Sequence, residues 1–134
     1  MMKGFVRVLF LIGSLSLYNA SSMAFYETPL MTAAIQKQLT PDQALDRLIQ
    51  GNKRFRSQPH LPTDMIKKAQ LTANGQYPAA IVLSCIDSRI PPEIVFDQNI
   101  GNIFVTRVAA NVINEDVLGG LEFATHLSGA KLIV

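Results

Sequence analysis

Cys85-Ile86-Asp87-Ser88-Arg89 places a thiol, a carboxylate and a guanidinium within five residues. A thiolate is a soft, strong zinc ligand. A carboxylate beside it can accept a hydrogen bond from zinc-bound water, or ligate the metal itself. An arginine two residues on can hold that carboxylate in a bidentate pair and keep it ionised. In an extended segment these alternate positions point roughly one way. The same spacing also fits a small buried cysteine followed by a surface ion pair, because isolated cysteines often pack as small hydrophobes. A cysteine-phosphatase loop is excluded, since it needs a different cysteine-to-arginine spacing and a glycine-rich cradle.

The elements around this segment predict where it sits. Ala79 to Ser84 is a short, continuous apolar run, which reads as a strand buried on both faces of a parallel sheet. Ile103 to Val108 reads as a second strand and Lys131 to Val134 as the opening of a third. Thr40-Pro41-Asp42-Gln43 carries a capping box and starts a helix that fades near Ser57. Pro59 to Pro62 is a loop, and a second helix is expected from about Asp64 to Ala73. Pro91-Pro92 opens a helical turn through Phe96. Asn114 caps a helix that runs to about Leu127, with Gly129 as its C-terminal cap. Gly119-Gly120 weakens that helix, so close packing on the sheet is its expected purpose. The order predicts an α/β fold, a central parallel sheet flanked by helices with right-handed crossovers. Ligands in such sheets bind outside the carboxyl ends of strands, which is where Cys85 begins.

The 134 residues suit one domain, and 49% hydrophobic content is far too high for disorder. A net charge of +2 excludes a broad nucleic-acid-binding stripe, so no nucleic-acid partner is expected. One cysteine excludes an internal disulfide framework and a four-cysteine zinc site within one chain. Residues 1–24 hold Lys3 and Arg7 and no acid. Val8 to Tyr18 is a mostly apolar run, and Ser22-Met23-Ala24 fits a cleavage site. This is the layout of a secretory signal peptide, and the run is shorter than the about 20 residues that span a bilayer. The expected address is the periplasm or the exterior, with no stable membrane anchor after cleavage. Residues 25–39 read as an irregular lead, and 40–134 as the domain.

Cys85 to Arg89, followed by Ile90-Pro91-Pro92-Glu93, resembles the first signature of the β-class carbonic anhydrases. The resemblance continues through Phe96-Asp97 and Gly101 to Asn111, into Leu118 to Ala124 and Gly129 to Val134. The segment Gly51 to Phe55 also matches, so coverage runs from about Thr40 to Val134.

That resemblance implies zinc-dependent, reversible hydration of carbon dioxide to bicarbonate. It implies a zinc ion held by two cysteines and a histidine, with Cys85 as the first ligand. Asp87 would accept a hydrogen bond from the attacking water, and in a closed state would ligate zinc. Arg89 would pair with Asp87, while Ser88 and backbone groups after Gly101 would shape the pocket. Arg107 matches the arginine of a second, inhibitory bicarbonate site, although Val82 stands where some relatives carry its tryptophan. The resemblance also implies a homodimer or higher oligomer, with Leu45, Leu48 and Phe55 facing a neighbouring subunit.

The two other ligands belong to a Gly-His-x-x-Cys motif that follows the third strand in the family. The residues shown do not include it. His60, in a proline-flanked loop, and His126, near a helix end where it suits the dipole, are not expected to replace them. The expectation is therefore a partial domain that is inactive as written, within an active parent protein. The alternatives are a genuine short product, a hydrolase of carbon disulfide or carbonyl sulfide with the same site, and a non-enzymatic interaction domain.

Overall fold

The computed structural model describes residues 28–57 and 64–134. The expected leader over 1–24, the loop from Pro59 to Pro62 and His60 lie outside the described residues. α2 (Pro41–Ser57) starts as its sequence predicts. The Thr40 hydroxyl accepts from the Gln43 N–H at 3.2 Å, and the Gln43 side-chain oxygen accepts from the Thr40 N–H at 2.9 Å. α3 (Met65–Leu71) is capped by Asp64, whose carboxylate accepts from the Lys67 N–H at 3.0 Å. It ends before the expected Ala73, where the Thr72 hydroxyl donates to the Lys68 carbonyl at 2.9 Å.

The lead is not wholly irregular, because α1 (Ala33–Gln38) forms within it. Thr32 caps this helix, and none of its residues is buried. Its anchor is Gln36, whose amide donates to the carbonyls of Pro78 and Ser128 at 2.8 Å each. Long-range hydrogen bonds hold the helix in place of an apolar face, so hydrophobic spacing could not reveal it.

β1 (Ala80–Ser84) and β2 (Ile103–Arg107) pair in parallel, in a register that runs from Ala80 opposite Ile103 to Ser84 opposite Arg107. The segment 131–134 lies along the other edge of β1. The Ile81 N–H donates to Leu132 at 2.9 Å, and the Leu83 N–H donates to Val134 at 2.8 Å. β1 is therefore central, and both its faces are covered. Ile81 packs with Val117, Leu121, Ala124 and Ala130 on one side. Ala80 and Val82 pack with Leu48 and Ile103 on the other. This is the expected α/β arrangement, a parallel sheet flanked by helices.

Two expectations about packing are corrected. Leu48 does not face outward, because it is 1% exposed within the chain's own core; Leu45 is the exposed one. Gly119 and Gly120 do not serve close packing on the sheet. They lie in α5 (Glu115–Glu122), and a Cβ at either would meet nothing within 4 Å. The Asn114 cap holds, with its side-chain oxygen accepting from the Val117 N–H at 2.9 Å. The helix then widens into a π turn (Phe123–Leu127), and Gly129 follows at φ +76°.

Asn102 clips the segment before α1 onto the sheet. It is fully buried, and its amide uses both ends. The oxygen accepts from the Met31 N–H at 2.8 Å, and the nitrogen donates to the Pro29 carbonyl at 3.0 Å. Asn102→Ala would leave the buried Met31 N–H unpartnered, while the Pro29 carbonyl keeps the Arg47 guanidinium as a donor. The expected cost is about 1–3 kcal/mol of stability, read as a lower urea midpoint; an unchanged midpoint would contradict the clip.

Candidate functional site

The carboxyl end of β1 delivers Cys85 into a tight loop, not an extended segment. The chain bends at Ile86 and turns after Asp87, where the Ile90 N–H donates to the Asp87 carbonyl at 3.3 Å. The thiol, carboxylate and guanidinium are thus brought together by a turn and not by strand alternation. The Asp87 carboxylate accepts from the Arg89 backbone N–H at 3.0 Å, which fixes the turn locally. It also accepts from Arg89 Nε at 3.0 Å and from Nη2 at 2.6 Å, a bidentate pair.

That geometry sets the charge. The Arg89 side chain, then its backbone N–H, lower the Asp87 pKa from 3.8 to about 2, and the nearby Arg107 cation adds to this. The Arg89 pKa is raised in turn by Asp87. The carboxylate is therefore ionised throughout the neutral range. The sign for stability follows from the depressed value. The pair supports the folded loop above about pH 4, where the unfolded carboxylate also ionises, and that support is lost as the pH falls through about 2. A carbon-13 titration of the Asp87 carboxyl is expected to show a midpoint well below the ordinary value. A midpoint at or above 4 would mean that the clamp does not form in solution.

Cys85 is a free thiol, partly exposed. The backbone N–H groups of Ala110 and Asp87 are the main influences holding its pKa below the ordinary value. Burial opposes them, the Ile86 N–H assists, and the Asp87 charge opposes. Ala110 reaches the sulfur from the turn Ala109–Asn111, where Ala110 and Asn111 both adopt positive φ, at 58° and 54°. A left-handed alanine costs on the order of 1–2 kcal/mol, so this turn is held by its surroundings. A thiol with a lowered pKa gives up its proton to a metal more readily.

Arg107 closes the site from β2. Its Nε donates to the Cys85 carbonyl at 2.8 Å, and its Nη2 donates to the Asp87 carbonyl. The sequence did not point to these contacts, although the end of a strand paired with β1 was a place to look. Ser88 lies in the turn. Of the backbone after Gly101, the Ala110 N–H is the group that reaches Cys85, while Gly101 itself lines a cleft with Met65, Pro91, Glu93, Ile94 and Ile103 beside α4 (Pro92–Val95). His126 stands exposed in the π turn. Among the described residues no three His, Cys, Asp or Glu side chains gather into a group able to hold a metal. Cys85 and Asp87 thus supply two donors at most.

The carbonic anhydrase family model matches residues 80–134 of this chain. Carbonic anhydrase 2 of Mycobacterium tuberculosis is 40% identical over 95 residues, covering 70% of this chain and 46% of that protein. The carbonic anhydrase of Mycolicibacterium smegmatis is 41% identical over 95 residues, with the same shares covered. The solved structure of the β-carbonic anhydrase CcaA is similar over 66% of this chain and 45% of its own, at 26% identity and a TM-score of 0.48. The chain spans about half the length of the curated relatives it matches. With the matched segment containing the Cys85-to-Arg89 loop and both strands that frame it, residues 80–134 of this chain are a segment of the carbonic anhydrase family.

Proposed function

We propose that the protein carrying this sequence is a zinc-dependent carbonic anhydrase that hydrates carbon dioxide reversibly to bicarbonate. The observation that carries this reading is the Asp87 carboxylate, gripped at both oxygens by Arg89 and two residues from Cys85, whose pKa is lowered by backbone N–H groups. Cys85 fits zinc as one ligand. With both oxygens engaged by Arg89, Asp87 acts here as a hydrogen-bond acceptor, not a ligand. The remaining donors come from outside the described residues. When bound, zinc would supply the Lewis acidity that makes water a nucleophile near neutral pH. Asp87 would accept a hydrogen bond from the attacking water and orient it toward carbon dioxide. Arg89 keeps the carboxylate charged and aimed.

In this reading residues 1–24 direct the chain to the periplasm or the exterior, supported by their three-part layout. Among the described residues no helix is long and apolar enough to cross a membrane. The protein assembles as a homodimer or higher oligomer, supported by exposed Leu45, Leu118 and Leu127. Stopped-flow carbon dioxide hydration on the zinc-loaded protein tests the activity. Asp87→Asn is expected to lower kcat/KM by about 10²–10⁴-fold, the range of a positioned proton-handling group. Hydration at near wild-type rate in that variant would refute the role of Asp87. Hydrolysis of carbon disulfide without carbon dioxide hydration would replace the substrate.

A further inference from the structure

Two carbonyl oxygens of the Cys85-to-Arg89 loop converge on one guanidinium. They belong to Cys85 and Asp87, the two residues whose side chains carry the site. The guanidinium comes from Arg107, placed beside the loop because Ser84 and Arg107 are register partners at the ends of β1 and β2. The Val108 N–H continues the same edge by donating to the Ser84 carbonyl at 3.0 Å. Beyond it the chain doubles back through Ala110, whose N–H faces the Cys85 sulfur. The loop has few holds of its own. Its internal bonds are the Asp87–Arg89 contacts, one 3.3 Å turn bond, and the Ile86 and Asp87 N–H groups turned toward the Cys85 sulfur. Those link neighbours within the loop, and none of them fixes the loop to β2.

We propose that Arg107 is a positioning residue, which ties the Cys85 and Asp87 backbones into one rigid unit so that thiol and carboxylate address the same point. A planar fork with donors on separate nitrogens suits two carbonyls spaced two residues apart. A lysine ammonium offers one nitrogen on a flexible stem and cannot reproduce that span. This assigns to Arg107 a structural task distinct from anion binding. The inference rests on the proposed site, but its first test does not depend on activity.

The experiment compares Arg107→Gln and Arg107→Lys with the unmodified protein. Amide hydrogen exchange is followed by mass spectrometry. Both variants are expected to exchange at least about 10-fold faster in the peptide spanning residues 85–90, with β1 and α5 unchanged. In the zinc-loaded protein, kcat for carbon dioxide hydration is expected to fall while KM stays within about twofold, since the carboxylate is misplaced in the transition state. Unchanged exchange in the loop would overturn the proposal. So would faster exchange spread over the whole chain, which would make Arg107 a general support of the sheet. Full recovery by Arg107→Lys would also overturn it, by showing that charge alone suffices. A loosened loop in a protein without carbon dioxide hydration would sink the proposed activity and leave this inference standing.

Discussion

Replacing Cys85 by serine is expected to strip zinc from the protein. A serine hydroxyl has nearly the same size but does not ionise in the neutral range, so it offers zinc no thiolate. The Cys85 surroundings are built for the ionised form. The N–H groups of Ala110, Asp87 and Ile86 turn toward the sulfur and lower its pKa, so displacing the proton by a metal costs less there than at an ordinary thiol. Outer partners of metal ligands typically contribute 10–100-fold in affinity, and the loss of a direct ligand should exceed that. Zinc measured after gel filtration should fall from near one per chain in the loaded protein to about a tenth or below. Zinc retained at the original ratio would remove Cys85 from the ligand set. The bland alternative, a small buried cysteine, predicts the opposite pattern of unchanged metal and lowered stability. Cys85 is partly exposed, so its replacement should shift the unfolding free energy by no more than about 0.5 kcal/mol.

What could be read in advance divides along a physical line. The capping residues Thr40, Gln43 and Asn114, the apolar runs of β1 and β2, and the left-handed Gly129 all act locally, and each was legible. The Asp87–Arg89 pair was legible too, because its partners are two residues apart. Features that depend on distant partners were not. α1 needs Pro78 and Ser128, and Asn102 needs Pro29 and Met31. Arg54, in a helix, meets Asp97 at 2.6 Å and the Thr28 hydroxyl at 2.8 Å, joining three separate segments. The bend after Cys85 was also hidden, since Arg107 helps to set it from another strand. Spacing alone favoured a small buried cysteine, and family resemblance carried the reading of Cys85 to a metal ligand. It misplaced Leu48, whose neighbours Ala80 and Val82 belong to the same chain.

Gly51→Ala is expected to be the most damaging single substitution in the scaffold beneath the site. A Cβ at Gly51 would lie 1.8 Å from the Phe96 carbonyl oxygen and 2.7 Å from its carbon. Both are backbone atoms, so no side-chain rotation relieves the clash. Either α2 lifts from the sheet or the turn after α4 moves. Lifting α2 breaks the Asn52 amide bond to the Val95 carbonyl at 3.0 Å and pulls Leu48 from its packing on Ala80 and Val82. Moving the turn disturbs Asp97, already at φ 46°, and the Gln98 amide that donates to the Phe96 carbonyl at 2.8 Å. Overpacking of side chains typically costs 1–3 kcal/mol, and a backbone obstacle belongs at or above the top of that range. Alanine gains about 1 kcal/mol over glycine in helix propensity, which offsets only part of it. The net expectation is a loss of about 3 kcal/mol, a large share of the roughly 5–15 kcal/mol that holds a typical domain. Urea denaturation followed by circular dichroism reads it directly. Gly119→Ala and Gly120→Ala supply the contrast, because open space surrounds both positions in the single chain. Each should raise the midpoint through helix propensity alone. A Gly51→Ala midpoint equal to the parent's would refute the contact between α2 and Phe96. Destabilisation at Gly119 or Gly120 would instead reveal an element that packs against α5 in the assembled protein.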